Sequence, residues 1–276
     1  MDIKTAARLQ NITNEFYQSV AASFSETRKS PWPGWSHCLD IIRSMCLGEA
    51  TDLRTKPGVT VDTLRSTCKG EGRALSVFDL ACGNLRFEVY LADALPETAL
   101  TFYAVDNCDS TNKSGIRHQV HYQNLDVLSA LHKNQPLAEQ FAAPLCDVSA
   151  SFGFLHHVPL KEHRQELLTS LVQQTLPGGL VIITFWRFLD DAALAKKAQV
   201  THAQALQELE LPDLDDGDYL LGWKNTPGTY RYCHSFNEAE IDQLAGSLAD
   251  KTLVVSRFTA DGKTGTLNTY LILKVL

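Results

Sequence analysis

The sequence is poor in the features that mark secreted, membrane-spanning and nucleic-acid-binding proteins. Its seven cysteines are an odd number without a CxxC pair, which favours reduced thiols over a disulfide framework. No apolar run approaches the ~20 residues that cross a bilayer, and the N-terminus MDIKTAARLQ lacks the apolar stretch of a signal peptide. Lys and Arg number 25 against 32 Asp and Glu, and the resulting net charge of −7 does not by itself attract phosphates. We therefore expect a cytoplasmic protein without a membrane segment.

Glycine is scarce at a position where nucleotide-binding folds are rich in it. Residues 77–85 read VFDLACGNL, in which an apolar run ends at Asp79 and a turn with a single glycine, Gly83, precedes a predicted helix. Dinucleotide-binding folds place several glycines there because a pyrophosphate presses against the backbone. Ala81 and Leu85 occupy two of those positions, and Leu85 adds bulk. The turn therefore argues against a dehydrogenase and favours a ligand without phosphates, such as S-adenosylmethionine, whose amino-acid end is small and zwitterionic.

The sequence does contain a repeated order of apolar runs and helical segments. Four apolar runs predict strands, and helical periodicity separates them: 75–80, 100–105, 149–155 and 180–185. Strands that alternate with helices indicate a parallel sheet. A tight turn joins two more predicted strands, 253–258 and 267–275, which must then be antiparallel. We predict an α/β fold with a seven-stranded, mostly parallel sheet, helices on both faces and an antiparallel C-terminal hairpin.

A single domain of 276 residues is expected to have four parts. The parts are a helical N-terminal cap over 1–70, a cofactor-binding core over 71–190, a lid insertion over 191–230 and a return to the core over 231–276. Helical periodicity in the cap predicts helices at 5–25, 36–48 and 60–68, and a Pro-Trp-Pro segment separates the first two. The lid is expected because a helix at 192–209 and an acidic loop break the alternation of strands and helices.

Two more acids follow the next predicted strands. Asp106 closes the second apolar run, 23 positions after Gly83, where a carboxylate commonly binds both hydroxyls of a ribose. Asp126 follows a third possible strand and can accept a hydrogen bond from an adenine amino group, while Asp79 can face an ammonium. Alone, each has a simpler explanation, as the N-terminal charge of a helix or as a turn residue. Together with the C-terminal hairpin, they resemble the class I S-adenosylmethionine-dependent methyltransferases.

Three segments outside the cofactor turn resemble a more particular family. Residues 16–33 read FYQSVAASFSETRKSPWP, residues 154–157 read FLHH, and residues 222–236 contain GWK and RYCHSF. These segments are similar to those of the tRNA wobble-uridine carboxymethyl methyltransferases, a family whose resemblance covers nearly the whole chain. The resemblance implies S-adenosylmethionine as methyl donor, esterification of a carboxymethyl group on the wobble uridine of tRNA and, as in eukaryotic members, a small activator subunit.

The resemblance also implies the residues of the site. Those on the cofactor side are Tyr17, Arg28, Trp32, Asp79, Ala81, Gly83, Asp106, Asn107, Asp126 and Val127. Those on the substrate side, with catalytic roles, are His156, Arg231, Tyr232 and His234. The family's turn is closer to D.GCGNG, so Ala81 and Leu85 are departures from it.

A carboxylate acceptor needs little acid–base help from the protein. It is already ionised at pH 7, since its reference pKa is about 4, so the protein mainly has to position and desolvate it. A guanidinium can do so through two parallel hydrogen bonds. Arg231 and Arg28 are the candidates for this role.

Two other functions remain open. One is a small-molecule O-methyltransferase whose acceptor is a carboxylate or a hydroxyl. A hydroxyl acceptor requires a general base with a pKa near 7, which His156 and His157 can provide. The substituted turn leaves open a non-catalytic protein that binds the cofactor. A metal site is not expected, because adjacent histidines point apart and no third ligand is spaced nearby.

Overall fold

A computed structural model of the chain describes residues 1–26, 30–49, 58, 74–108, 118–224, 226 and 228–276. The predicted helix at 60–68 and one predicted site residue, Arg28, lie outside the described residues. Among the helices that are described, none combines the length and the hydrophobicity that a bilayer span requires.

The described strands form two sheets. Their bounds are β1 Leu75–Leu80, β2 Leu100–Asp106, β3 Gln119–Asn124, β4 Cys146–Ser151, β5 Thr175–Trp186, β6 Asp218–Gly222, β7 Tyr230–His234, β8 Thr252–Ala260 and β9 Asn268–Val275. Seven of them make one sheet in the order β3-β2-β1-β4-β5-β9-β8. β1 to β5 pair in parallel, and β9 runs antiparallel to both β5 and β8. The predicted fold class is confirmed.

Helices cover both faces of this sheet. Their bounds are α1 Ile3–Glu26, α2 Trp35–Met45, α3 Arg86–Ala94, α4 Val127–His132, α5 Leu137–Gln140, α6 Lys161–Gln173, α7 Ala192–Glu208 and α8 Glu238–Gly246. Alternate residues of a strand point to opposite faces, and β1 supplies apolar side chains to both. Phe78 packs in the core that contains Leu167 of α6, whereas Val77 packs with Trp35 of α2 and Phe87 of α3.

The strand order positions a binding site. The chain crosses from β1 to β2 on one side and from β3 back to β4 on the other, so that β1 lies between β2 and β4. In open α/β sheets, ligands bind outside the carboxyl ends of the strands at such a reversal. Asp79 and Asp106 stand near or at the carboxyl ends of β1 and β2 and therefore face this crevice.

A two-stranded sheet crosses the predicted boundary between the inserted segment and the rest of the core at residue 230. β6 and β7 pair with each other in an antiparallel two-stranded sheet, with Leu221 opposite Arg231. The added layer therefore runs to the end of β7 at His234, rather than ending at residue 230. α1 lies against β7, where the Tyr232 N–H donates to Oγ1 of Thr13 at 3.0 Å. The N-terminal helix and the inserted hairpin thus form one layer above the sheet.

The N-terminal cap is anchored to the C-terminal hairpin at Gly34. Its backbone N–H donates to Oδ1 of Asp261 at 3.1 Å, and Oδ2 of Asp261 accepts the Tyr270 hydroxyl at 2.6 Å. A Cβ on residue 34 would lie 2.3 Å from the Tyr270 ring, so the close approach requires glycine. The anchor holds Trp32 stacked on Trp35, with ring centroids 5.7 Å apart, beside the crevice.

Candidate cofactor and substrate site

A cavity of about 1130 Å³ opens at the carboxyl ends of β1, β2 and β4, beneath α1 and β7. Eleven of the predicted site residues line it: Tyr17, Trp32, Asp79, Ala81, Gly83, Asp106, Asn107, Asp126, Val127, His156 and Arg231. Two predicted residues do not, Tyr232 and His234. The structure thus brings most of the predicted cofactor side and part of the predicted substrate side into one cavity.

The turn after β1 has three residues in the left-handed region, of which only one is a glycine. Ala81, Gly83 and Leu85 have φ values of 64°, 55° and 61°, in the left-handed region where side chains are disfavoured by about 1–2 kcal/mol. The side chain of Leu85 is 1% exposed and packs with Cys82 and Ala104 instead of lining the cavity. A Cβ on Gly83 would have nothing within 4 Å. The bulk of Leu85 therefore leaves the backbone open to a ligand at Gly83.

Asp106 is fixed by the same turn. Its Oδ2 accepts the Gly83 N–H at 2.9 Å, and its Oδ1 accepts the Cys108 N–H at 2.9 Å. These two hydrogen bonds orient the carboxylate at the end of β2, and each carboxylate oxygen retains a second lone pair. Asp106 can therefore accept hydrogen bonds from the hydroxyls of a ribose without leaving its position.

Asp126 has structural partners of its own. It is the N-cap of α4, where Oδ1 accepts the Ser129 N–H at 2.9 Å. Both of its oxygens also accept a hydrogen bond from Nε2 of Gln10, at 2.9 and 3.0 Å, which ties α1 to α4. A hydrogen bond to an adenine would have to share these oxygens, while the neighbouring Leu125 and Val127 offer apolar contact at the same wall.

A buried carboxyl pair lies behind the turn, and sequence reasoning found only one member of it. Asp79 is 3% exposed, and Glu88 of α3 is fully buried. Burial, followed by the neighbouring Glu88, raises the pKa of Asp79 well above its ordinary value, and burial raises the pKa of Glu88 to about 7. The available signal was helical spacing, because Glu88 stands three residues before Leu91 on the apolar face of the predicted helix.

Arg231 brings a positive charge into the cavity. It is 7% exposed, and its guanidinium carbon lies 5.0 Å from the ring centre of Phe16 and 5.8 Å from that of Trp186. Burial disfavours its charged form, but the Tyr17 and Cys233 side chains outweigh burial and raise the pKa of Arg231 above its ordinary value. A cation held between two aromatic rings can bind a carboxylate in a water-poor setting.

Tyr232 and His234 point away from this cavity, because they alternate with Arg231 along β7. The Tyr232 hydroxyl donates to Oδ1 of Asp218 at 2.5 Å, and Nδ1 of His234 lies 2.6 Å from the same oxygen. Glu240 accepts from Arg164 at 2.6 Å and lies 2.7 Å from Nε2 of His234. This network ties α6, β6, β7 and α8 together, so the structure gives the two residues a supporting position behind Arg231.

His156 and His157 follow β4, which ends at Ser151, earlier than the predicted run at 149–155. Nδ1 of His157 lies 2.7 Å from the Tyr232 carbonyl and carries a proton, and in the neutral imidazole Nε2 then accepts a hydrogen bond from the Tyr17 hydroxyl at 2.8 Å. The ring of His156 lies 4.9 Å from that of Trp186 on the cavity wall. His156 is thus placed to contact a substrate, whereas His157 holds Tyr17.

The structure supplies the third ligand whose absence argued against a metal. Cys233 comes from β7, and one possible ligand atom each of His156, His157 and Cys233 lie within 4.8 Å of one another. Spacing along the sequence could not reveal this third potential ligand, because Cys233 lies 76 positions after His157. Both ring nitrogens of His157 are nevertheless engaged by Tyr17 and Tyr232, so a metal would have to displace a hydrogen bond.

The sheet order, the antiparallel end strands and the acids at β1 and β2 define the fold of the class I S-adenosylmethionine-dependent methyltransferases. An S-adenosylmethionine-dependent methyltransferase of Methanosarcina mazei superposes with a TM-score of 0.51 at 15% identity, over 75% of this chain and 95% of that one. A structure described as a DhpI-SAM-HEP complex superposes with a TM-score of 0.55 at 13% identity, over 96% of this chain and 97% of that one. At these identities the likeness establishes the fold.

Curated relatives add a narrower similarity. A tRNA (carboxymethyluridine(34)-5-O)-methyltransferase ALKBH8 of Macaca fascicularis is 23% identical over 192 residues, which are 66% of this chain and 21% of that protein. A tRNA (carboxymethyluridine(34)-5-O)-methyltransferase of Arabidopsis thaliana is 32% identical over 84 residues, which are 30% of this chain and 20% of that protein. The chain thus spans about a fifth of the length of these relatives. No model of a protein family matches the sequence.

Proposed function

We propose that the chain is an S-adenosylmethionine-dependent methyltransferase that esterifies a carboxylate, with the carboxymethyl group of a tRNA wobble uridine as the acceptor. One observation carries the proposal above all: the buried Arg231 guanidinium lines the same cavity as the carboxyl ends of β1 and β2. The names of the curated relatives support the tRNA acceptor. A cytoplasmic location and a small activator subunit belong to the same proposal.

The residues of the turn fit the proposed cofactor. The open backbone at Gly83 admits a ligand, Asp106 is oriented for two ribose hydroxyls, and Asp79 faces an ammonium from the floor of the cavity. Leu125 and Val127 are apolar walls for an adenine. When bound, S-adenosylmethionine supplies a methyl group on a positively charged sulfur, which an ionised carboxylate can attack without a base.

The work of the protein on the acceptor is then positioning and desolvation. Arg231 aligns the carboxylate by paired hydrogen bonds, and the rings of Phe16 and Trp186 exclude water around that ion pair. Tyr17 closes the wall beside Arg231 and is itself held by Nε2 of His157 at 2.8 Å. No proton needs to be removed from a carboxylate at neutral pH.

A second candidate, methylation of a hydroxyl on a small molecule, is favoured by the position of His156. Its imidazole is 8% exposed and lies on the cavity wall. A histidine there can remove the proton from a hydroxyl as the oxygen attacks the methyl group. The acidic net charge of −7 also suits a small acceptor better than an RNA.

The two candidates are separated by the chemistry of the product. The protein is incubated with S-adenosylmethionine labelled in its methyl group and with tRNA that carries carboxymethyluridine, matched tRNA that carries unmodified uridine, or a metabolite extract. We expect label on the first tRNA, released as methanol by mild alkali because the product is an ester. Alkali-stable label would favour the hydroxyl acceptor instead, and alkali-labile label in the extract alone would favour the carboxylate of a small molecule over tRNA.

A further inference from the structure

Two carboxyl groups face each other in the core behind the cofactor turn. Asp79, 3% exposed, lies near the end of β1, and Glu88, fully buried, lies in the first turn of α3. Within the described part of the chain, neither Oδ1 of Asp79 nor either carboxyl oxygen of Glu88 has a hydrogen-bond partner outside the pair, whereas a hydrogen bond between the two side chains contributes to the pKa shift of each. Two buried carboxylates without compensation are too unfavourable to coexist, so the pair retains at least one proton.

The surroundings compensate this pair only partly. Among the described residues, Arg86 on α3 and Asp106 on β2 act on the pair, whereas burial and then the pair itself raise the pKa of the Cys82 thiol in the turn. Arg86 favours an ionised Asp79. Its guanidinium also has other partners, because its carbon lies 5.8 Å and 5.6 Å from the ring centres of Trp32 and Trp35 and one nitrogen donates a hydrogen bond to the Ser30 carbonyl. Asp106 adds negative charge, and burial raises the pKa of Cys82, so that group remains a neutral thiol.

We propose that Glu88 is the second carboxyl of a proton-sharing pair with Asp79, and that an ammonium bound at Asp79 expels the shared proton. This inference rests on the proposed placement of the amino-acid end of the cofactor at Asp79. The ammonium supplies the positive charge that the buried pair lacks and so favours the ionised form. The carboxyl oxygen keeps its electron pair, and the proton passes to the buffer.

The consequence is cofactor binding that depends on pH. Burial raises the pKa of Glu88 to about 7 and that of Asp79 well above its ordinary value, so the unliganded pair is protonated below pH 7. Because binding must then release a proton, affinity weakens as the pH falls below about 7 and levels off above the higher pKa of the pair. The limit is about tenfold per pH unit for one proton released.

Calorimetry with two ligands tests the pair. S-adenosylhomocysteine keeps the amino-acid end, whereas 5′-methylthioadenosine lacks it and cannot place an ammonium at Asp79. Titrations at pH 5.5 to 8, in two buffers of different ionisation enthalpy, measure both the dissociation constant and the number of protons released. We expect up to one proton released with S-adenosylhomocysteine below pH 7 and none with 5′-methylthioadenosine.

Glu88→Gln is the decisive variant, because the amide has nearly the same shape and can donate permanently to Asp79. We expect S-adenosylhomocysteine to bind it several-fold more tightly than the wild type at pH 6, with a flatter pH dependence. Glu97→Gln, which removes an exposed acid beyond the end of the same helix, is the matched control and should retain the wild-type slope. Thermal unfolding of both variants verifies that each is folded.

The outcomes separate this inference from the proposed function. Equal slopes for wild type and Glu88→Gln, or equal slopes for the two ligands, would overturn the proton-sharing pair while leaving the cofactor site in place. Failure of the wild type to bind either ligand at millimolar concentration would overturn the cofactor site itself, and the pair with it.

Discussion

The Tyr17 hydroxyl and Nε2 of His157 lie 2.8 Å apart and join α1 to the loop after β4. Since Nδ1 of the same imidazole lies 2.7 Å from the Tyr232 carbonyl, both ring nitrogens have partners in different layers of the protein. His157 is 6% exposed, so a nitrogen that lost its partner could not turn to bulk water. The histidine thereby fixes the distance between the N-terminal helix, the sheet and β7 at the wall of the cavity.

The first prediction is that Tyr17→Phe lowers the free energy of unfolding. A buried polar atom left without its partner costs about 1–3 kcal/mol, and the loss should appear as a lower midpoint in urea at pH 7.5. Tyr219→Phe is a suitable control, because Tyr219 is only half-buried and contacts the rings of Phe188 and His202. A Tyr17→Phe midpoint equal to that of the control would contradict the role assigned to this hydrogen bond.

The second prediction concerns the two strained positions of the cofactor turn. Ala81→Gly should leave the free energy of unfolding unchanged or raise it, because relief of a left-handed alanine, about 1 kcal/mol, offsets the extra freedom of glycine in the unfolded chain. Leu85→Gly should be destabilising, since burial of a leucine is worth about 2–5 kcal/mol. Urea unfolding measures both changes.

Leu85→Ala separates strain from packing in that comparison. It removes the same apolar side chain as Leu85→Gly but keeps the Cβ at φ 61°, so it should be the less stable of the two. If alanine proves more stable than glycine at position 85, the turn does not hold the left-handed conformation in solution.

Much of the fold could be predicted from the sequence, because the core strands are continuous apolar runs. LVIITF at 180–185 lies within β5, and the tight turn at 261–265 fixed the antiparallel hairpin. β6 and β7 escaped prediction because they have only five residues each and lie outside the alternating pattern. β7 contacts α1, which is far away in the sequence, and β6 contacts α7, so the two strands could not be recognised from their own residues alone.

Some residues of the candidate site could be predicted from the sequence and others could not, for a similar reason. Residues at strand ends, such as Asp79 and Asp106, take their direction from the parallel sheet and could be placed in advance. Resemblance to a family gives positions on β7 but not the faces of the strand, so Arg231 and Tyr232 were assigned together although alternation sends them apart. Glu88 was overlooked because an acid in a helix normally faces water.

The third prediction is that Arg231→Lys reduces methyl transfer far more than it reduces cofactor affinity. Lysine keeps the charge but cannot make two parallel hydrogen bonds to a carboxylate. The loss of one charge-assisted bond, about 2 kcal/mol, corresponds to about a 30-fold lower kcat/KM. Calorimetry with S-adenosylhomocysteine should give a dissociation constant within about threefold of the wild type, because the substitution leaves the contacts that bind the cofactor unchanged.

The contrary result has a clear meaning. A variant that transfers methyl groups normally but binds S-adenosylhomocysteine poorly would place Arg231 on the cofactor instead of the acceptor. Lys224→Gln provides a comparison, because it removes a cation of the β6–β7 hairpin that does not line the cavity and should leave both measurements unchanged.

The fourth prediction is a loss of stability in acid that arises from His132 and His163. Their rings lie 5.2 Å apart between α4 and α6, and burial lowers the pKa of both below the ordinary 6.5. Within the described structure, neither nitrogen of His132 has a hydrogen-bond partner. The unfolded chain therefore binds protons more readily than the folded chain. The contribution of the two neutral histidines to the free energy of unfolding is fully present above pH 6.5 and decreases as the pH drops below it.

The double variant His132→Leu/His163→Leu should remove this part of the acid sensitivity. For the wild type, each histidine contributes up to about 1.4 kcal/mol of lost stability per pH unit below 6.5, until its folded pKa is reached. Urea unfolding at pH 7.5 and 5.5 measures the difference for both proteins. If the double variant loses as much stability as the wild type between these two values, the acid sensitivity arises elsewhere and the histidine pair is already hydrated in the folded state.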